Sequence, residues 1–308
     1  MPTRAAHDLY RNRFWSGVLL VLSVLCLAPL RGDTLDQNSD SREAGGLRQW
    51  HPDAASRCYR FDRPHEVNQA ASRFGVIFAY LRRDRELAGY PLATASQAGV
   101  AFCIEDRADG NRGYYDYGYN VIAVREHLSL PQQTAIVVHE LRHVAHVQQG
   151  YRQSLDYAMP EMVRLTFAVE ADVQAFSALF AWRLKQRGES GLWDTLLGFP
   201  KYADIARAFE SEIGKSGDEL AAMRAAFRQW YTSPGRTTGY YRNAVSGYLD
   251  MLDESHLIEQ YRRLPGDFFD RLCVLPDGRN YGCQDLDVIG TIPGPPASNC
   301  LPEERINR

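Results

Sequence analysis

Lysine is scarce in this chain: Lys185, Lys201 and Lys215 are the only three among 35 basic residues. The formal net charge is −3, and no Lys/Arg-rich run is interleaved with aromatics. Together these lacks remove the basic footprint that holds a phosphate backbone, so no nucleic-acid partner is expected. Cysteine is limited to Cys26, Cys58, Cys103, Cys273, Cys283 and Cys300, with no CxxC spacing, which excludes a zinc knuckle built on thiolates. There is no internal repeat. What is present is the composition of a folded globular protein with a substantial core, at 308 residues, 45% hydrophobic and 24% charged.

One long apolar run stands at the N-terminus. Arg4, Arg11 and Arg13 precede FWSGVLLVLSVLCLAPL, which is long for a signal-peptide core and short of the ~20 residues of a transmembrane helix. Residues 1–30 therefore read as a signal peptide or an uncleaved signal anchor. Cleavage after Ala28 would use Cys26 and Ala28 as the small residues, with Pro29 against it. Either form implies export to the periplasm or cell envelope, with attachment to the inner membrane only through a retained leader. Residues 31–50 are polar and aperiodic, as a flexible linker is. A folded domain over 51–264 and a Pro/Gly/Cys-rich segment over 265–308 follow. In an oxidising compartment cysteines pair. Cys273 and Cys283 bracket a turn-rich loop, with Cys300 as the competing partner, and Cys58 with Cys103 is a further pairing.

Apolar spacing predicts a helix from Glu66 to Glu86, and alternation predicts strands over 99–105 and 118–124 with a glycine- and tyrosine-rich turn between them. Ser129 as cap and Pro131 in the first turn open a helix that should run to Gln149 and stop at Gly150. Pro160 opens another that ends at Lys185, Arg187 and Gly188. More helices are expected at about 200–212, 217–231 and 241–263. The fold class is α+β, predominantly helical, with a small sheet beside the helix that starts at Ser129.

That helix carries AIVVHELRHVAHVQQG, in which His139, Glu140 and His143 form H-E-x-x-H. Positions i and i+4 lie about 40° apart on a helix and one turn up, so both imidazoles can face one ion with the glutamate beside it. Zinc accepts two such nitrogens and keeps an open position for water. Glu140 could then accept a proton from that water and pass it on. The motif is short enough to occur by chance, and two core histidines bonded to backbone or carboxylate are the alternative.

A third ligand is the sharper test. Glu170 stands in the middle of LTFAVEADVQAFSALFAW, a helix apolar around its circumference, where an ionised carboxylate needs a cation or a strong partner. A salt bridge to Arg142 or Arg164 is the structural alternative. Asp172 competes for the ligand role but lies about 200° away on the wheel, so it cannot face the same ion. Gln174 shares the Glu170 face and could orient a histidine by a hydrogen bond. His146 returns to the His139 face about 10 Å further along the axis, too far to join both other histidines on one ion. It is left as a supporting or substrate-facing group, or as an ordinary partly exposed histidine.

These residues resemble the gluzincin arrangement of zinc metallopeptidases, two histidines of H-E-x-x-H with a downstream glutamate. HELRH followed by HVQQG and the VEADVQA segment is similar to a family of uncharacterised bacterial metallopeptidases. The resemblance implies Zn2+ held by His139, His143 and Glu170, Glu140 as general base and acid, and a peptide or protein substrate laid along a strand such as GYNVIAV. It departs from the thermolysin-like pattern at Gln174, where an aspartate is expected. The metzincin extension is absent, since His146 and Gln149 stand in its place. Tyr240, Tyr241 and His256, downstream on expected helices, are the candidates for stabilising an oxyanion, with ordinary core or surface positions as the favoured alternative. The competing readings are a catalytically silent zinc-binding envelope scaffold or binding module, and a helical domain without metal whose histidines are structural.

Overall fold

The structure, a computed structural model, describes residues 50–292 apart from Pro52, Glu66 and residues 107–111. The expected leader and, but for Trp50, the linker lie outside the described residues, as do Cys26 and Cys300. The elements in chain order are α1 (Ala54–Arg57), β1 (Cys58–Arg60), α2 (Gln69–Leu81), α3 (Arg85–Gln97), β2 (Ala101–Glu105), β3 (Gly113–Asp116) and β4 (Val121–Arg125). Then come α4 (Leu130–Gln148), α5 (Met159–Gln186), α6 (Gly191–Leu197), α7 (Ala203–Ser216), α8 (Glu219–Tyr231) and α9 (Pro234–Ser255). The fold is α+β and predominantly helical, as expected. Among the described residues no helix is long and apolar enough to cross a membrane.

α5 is the central element. Its buried residues run around the whole circumference from Met162 to Leu184, and it packs against α4, α6, α7, α8 and α9. A helix with no polar face has no alternative but to be enclosed. α4 lies between α5 and the sheet, touching β3, β4, α2, α3 and α6. Its start follows from local chemistry. The Ser129 hydroxyl accepts the Gln132 N–H while the Gln132 side chain accepts the Ser129 N–H, a reciprocal capping box with Pro131 in the first turn. Its stop is Gly150, whose φ of 93° favours a residue without Cβ.

The sheet has the order β1-β2-β4-β3, with β2 and β4 parallel and both outer pairs antiparallel. β2 and β4 are buried on both faces. Phe102, Ile104, Ile122 and Val124 face the main core, while Ala101, Cys103, Val121 and Ala123 face a smaller one with Trp50 and Ala54, as the two-residue period requires. β3 runs close over α4. A Cβ on Gly113 would stand 2.6 Å from the Ala123 carbonyl and 2.5 Å from Ile136 Cγ2, so only glycine lets the edge strand approach this helix.

Three expectations are corrected. The helix expected over Glu66 to Glu86 is two: α2 ends at Leu81, and Asp84 caps α3 by accepting the Leu87 N–H. α3 itself was not expected from sequence: it holds Gly89 and Pro91, which argue locally against a helix, but Pro91 is buried and packing overrides propensity. The glycine- and tyrosine-rich stretch contains a real strand, β3, so GYNVIAV supplies an interior strand and β3 is the edge. The last long helix starts at Pro234, capped by Ser233, and ends at Ser255.

Leu264, Phe269, Leu272, Leu275, Tyr281, Leu286 and Ile289 sit in the same core as α5. Cys273 and Cys283 form a disulfide there, and Cys58 and Cys103 form another across the paired positions of β1 and β2.

Candidate metal centre

His139 and His143 are one turn apart on the face of α4 turned to α5, and Glu170 meets them from the middle of α5. His139 Nε2 and His143 Nε2 are 3.2 Å apart. Glu170 Oε1 is 3.4 Å from His143 Nε2, and its Oε2 is 3.9 Å from His139 Nε2. One atom from each residue thus falls within 4.8 Å of the others, and among the described residues they are the one such group that could hold an ion. Gln174, one turn beyond Glu170, places Nε2 3.2 Å from His139 Nδ1. Only His139 keeps an edge toward solvent, its side chain 12% exposed against 2% for His143 and 1% for Glu170.

The electrostatics of this cluster are those of a site short of positive charge. Burial pulls His139 down to about 3, with His146 adding to the effect, and holds His143 well below the usual imidazole range, so both rings are neutral. Burial pushes Glu170 up to about 8, against the Tyr240 hydroxyl and the Lys201 charge. Glu140 is buried beside them and raised well above the carboxylate range by burial and by the Glu170 charge. Two facing imidazole nitrogens can share at most one proton. Glu170 Oε2 and both Glu140 oxygens have no hydrogen-bond partner, so buried acceptors outnumber donors. A divalent cation is the chemical group that fits such a donor set.

The alternatives weighed for Glu170 are taken by other residues. Arg142 Nε donates to Asp172 Oδ2 at 2.6 Å, and Arg164 pairs with Glu161 at 3.0 Å. Asp172 does face away from the cluster. His146, expected at best as a supporting group and otherwise partly exposed, is fully buried, with Nε2 2.9 Å from Asp172 Oδ2. The Asp172 charge stabilises its burial, which helical periodicity alone does not show. Of the three downstream candidates, Tyr240 is buried, hydrogen-bonds toward Glu170, and stands 2.9 Å from the Tyr202 hydroxyl. Tyr241 is partly buried in the core, and His256 is the exposed C-cap of α9. Tyr202 and Lys201 were not singled out by the sequence reading. Their signal was the scarcity of lysine, which needs the fold to be interpreted.

Residues 50–283 match the family model described as "Putative metallopeptidase family (DUF6782)". No curated protein and no solved structure matches the chain. The family match covers more than half of the chain and takes in α4, α5 and both disulfides. This protein therefore belongs to that family, whose described chemistry agrees with a buried, acceptor-rich cluster of two histidines and a glutamate on facing helices.

Proposed function

We propose that the protein is an exported zinc peptidase in which His139, His143 and Glu170 hold the ion and Glu140 is the general base. The convergence of three ligand atoms within 4.8 Å, on two helices fixed by the core, carries this reading. Two nitrogens and one carboxylate leave a coordination position open, which is the pattern of catalytic rather than structural zinc. When bound, the ion supplies Lewis-acid polarisation of the attacked carbonyl and of the attacking water. Glu140 accepts the proton of that water and delivers it to the leaving amine. Gln174 has Nε2 3.2 Å from His139 Nδ1; with the amide turned over, its carbonyl accepts the Nδ1 N–H and leaves Nε2 of the imidazole as the donor atom to the ion.

β3, the outer strand that packs on the HELRH helix, is the strand along which an extended peptide would lie, in the place first assigned to GYNVIAV. The arginine-led apolar leader and two disulfides among the described residues support an oxidising compartment outside the cytoplasm.

Elemental analysis of purified full-length protein tests the metal. About one zinc per chain is expected, lost in His143→Ala and held more weakly in Glu170→Gln, where the charge of one of three ligands is gone. No zinc in protein prepared without chelator, and none taken up on titration, would return the histidines to a structural role.

Glu170 also predicts a pH signature. Its carboxyl is raised from 4.5 to about 8, so protein stripped with chelator binds this proton more tightly folded than unfolded. That contribution is complete below 4.5 and is lost as pH rises through about 8. Stripped protein should lose stability across this window and zinc-loaded protein should not, because the ion replaces the proton. Paired thermal melts from pH 5 to 8.5 measure the difference, and parallel curves would count against Glu170 as a ligand.

A further inference from the structure

Lys185 pairs with Glu210 at 2.7 Å and Lys215 with Glu212 at 3.9 Å. Lys201, the third lysine of the chain, has no carboxylate within ion-pair distance in the described structure. It is nevertheless half-buried, and burial is the first cause of its lowered pKa. Its ammonium lies 4.9 Å from the centre of the Tyr240 ring and 5.3 Å from that of Tyr202. Two aromatic faces offset part of the desolvation, yet supply no counter-charge.

The backbone at this point is fixed. Arg236, itself buried, donates to the Lys201 carbonyl, to the Gln229 and Trp230 carbonyls and to Asp204. Asp204 also accepts from Gln229, so the one acid of the surrounding cleft is engaged. That cleft has a volume of about 360 Å³, and its remaining charged groups are Lys201 and the exposed Arg207. Both cations lack an ion-pair partner among the described residues, in a chain whose net charge is negative.

A chain of hydrogen bonds leads from the tyrosines under Lys201 to the metal centre. Tyr202 hydrogen-bonds Tyr240, Tyr240 hydrogen-bonds toward Glu170, and Glu170 is the acid whose charge Lys201 feels. When Glu170 is neutralised by a cation, Lys201 loses that compensation and the local field becomes positive. An anion entering the cleft restores the balance.

We propose that this cleft receives part of the substrate and that Lys201, seated on Tyr202 and Tyr240, is its anion-binding point and takes a carboxylate of the peptide, with Arg207 at the cleft mouth. The assignment rests on the peptidase reading and deepens it: substrates carry a carboxylate at a fixed distance from the bond that is cut. That carboxylate is either the chain terminus or an Asp or Glu side chain.

Binding of fluorescent hexapeptide pools to full-length Glu140→Gln protein, in which turnover is blocked, tests this. Four pools are compared: free or amidated C-terminus, each with Asp and Glu or with Asn and Gln. A charge-assisted contact is worth roughly 1.5–3 kcal/mol, or about 10- to 150-fold in affinity. One carboxylate source should show that preference, Lys201→Met should abolish it, and Lys201→Arg should restore much of it. Preference for the free terminus identifies the terminal group, and preference for Asp and Glu identifies the side chain.

Equal binding of all four pools, a preference that survives Lys201→Met, or no binding of any pool overturns the assignment. Zinc content measured on the same samples separates the two failures. Bound zinc without a Lys201-dependent preference removes only this subsite, whereas the absence of zinc removes the peptidase reading beneath it.

Discussion

Glu140→Gln will keep the zinc content of the unmodified protein while its rate of peptide hydrolysis falls by about 10²- to 10⁴-fold, the range for loss of a positioned general base. Glutamine has nearly the same shape, so the packing of a side chain only 1% exposed is preserved. What disappears is the ability to accept a proton. No side chain among the described residues donates to Glu140, and the Tyr115 backbone N–H that acts on it can donate to a glutamine carbonyl as well, so no structural bond is broken by the change. Burial and the Glu170 charge raise its basicity, which suits it to take a proton from water and release it to an amine. Thermal stability should not fall, because a buried charge without a partner is removed rather than created. Peptide-library cleavage and zinc analysis on the same preparations decide the matter. A rate within about twofold of the parent would remove Glu140 from proton transfer. Loss of zinc would make it a ligand instead.

The residues of this centre were legible in sequence because each depends on one helix at a time. Ser129, Pro131 and Gly150 bound α4, HELRH sets two imidazoles one turn apart, and a glutamate in an all-apolar helix demands a partner. The 200° between Glu170 and Asp172 correctly separated their surroundings. What could not be read is whatever depends on segments far apart in the chain. Arg142 finds the carbonyls of Leu272 and Val274, more than a hundred residues away, and no periodicity announces that. β1 has three residues and β3 four, too short for alternation to be distinguished from a turn, and their strand character comes from neighbours that supply hydrogen bonds. α3 was missed because Pro91 and Gly89 argue locally against a helix that the core nonetheless stabilises.

The same contrast explains why the cysteine-rich segment reads as an appendage and packs as core. Its spacing is irregular, so no face can be assigned from sequence. Yet Phe269, Leu272 and Tyr281 are buried, and the disulfide holds the carbonyls beside Cys273 and the Tyr281 hydroxyl on one side of α4 and α5. Those groups meet Arg142 and Asp172, each adjacent or nearly adjacent in sequence to a member of the candidate metal centre. The loop therefore braces the two helices whose relative position brings His143 to Glu170.

Removing Asp172 should expose how strongly that brace is held. Its carboxylate is fully buried and accepts from Arg142 Nε at 2.6 Å and from the Tyr281 hydroxyl at 2.7 Å, with His146 Nε2 at 2.9 Å. Burial works to raise its pKa, but Arg142 and His146 prevail and bring it down to about 2. With an ordinary value of 3.8, its ionised form contributes stability that is complete above that pH and is lost as pH falls through about 2. At neutral pH, Asp172→Ala leaves the Arg142 guanidinium buried with only the Leu272 and Val274 carbonyls. A broken buried pair of this kind costs about 3–5 kcal/mol, or a fall of roughly 6–20 °C in melting temperature for a domain of this size. The double variant Arg142→Met with Asp172→Leu should recover most of the loss, because two apolar side chains leave no charge unpaired. Denaturant unfolding of the parent and both variants separates the possibilities. A single variant within about 1 kcal/mol of the parent would mean that water or a rearranged neighbour satisfies Arg142. A double variant no better than the single would mean that shape rather than charge governs the contact between α4, α5 and the disulfide loop.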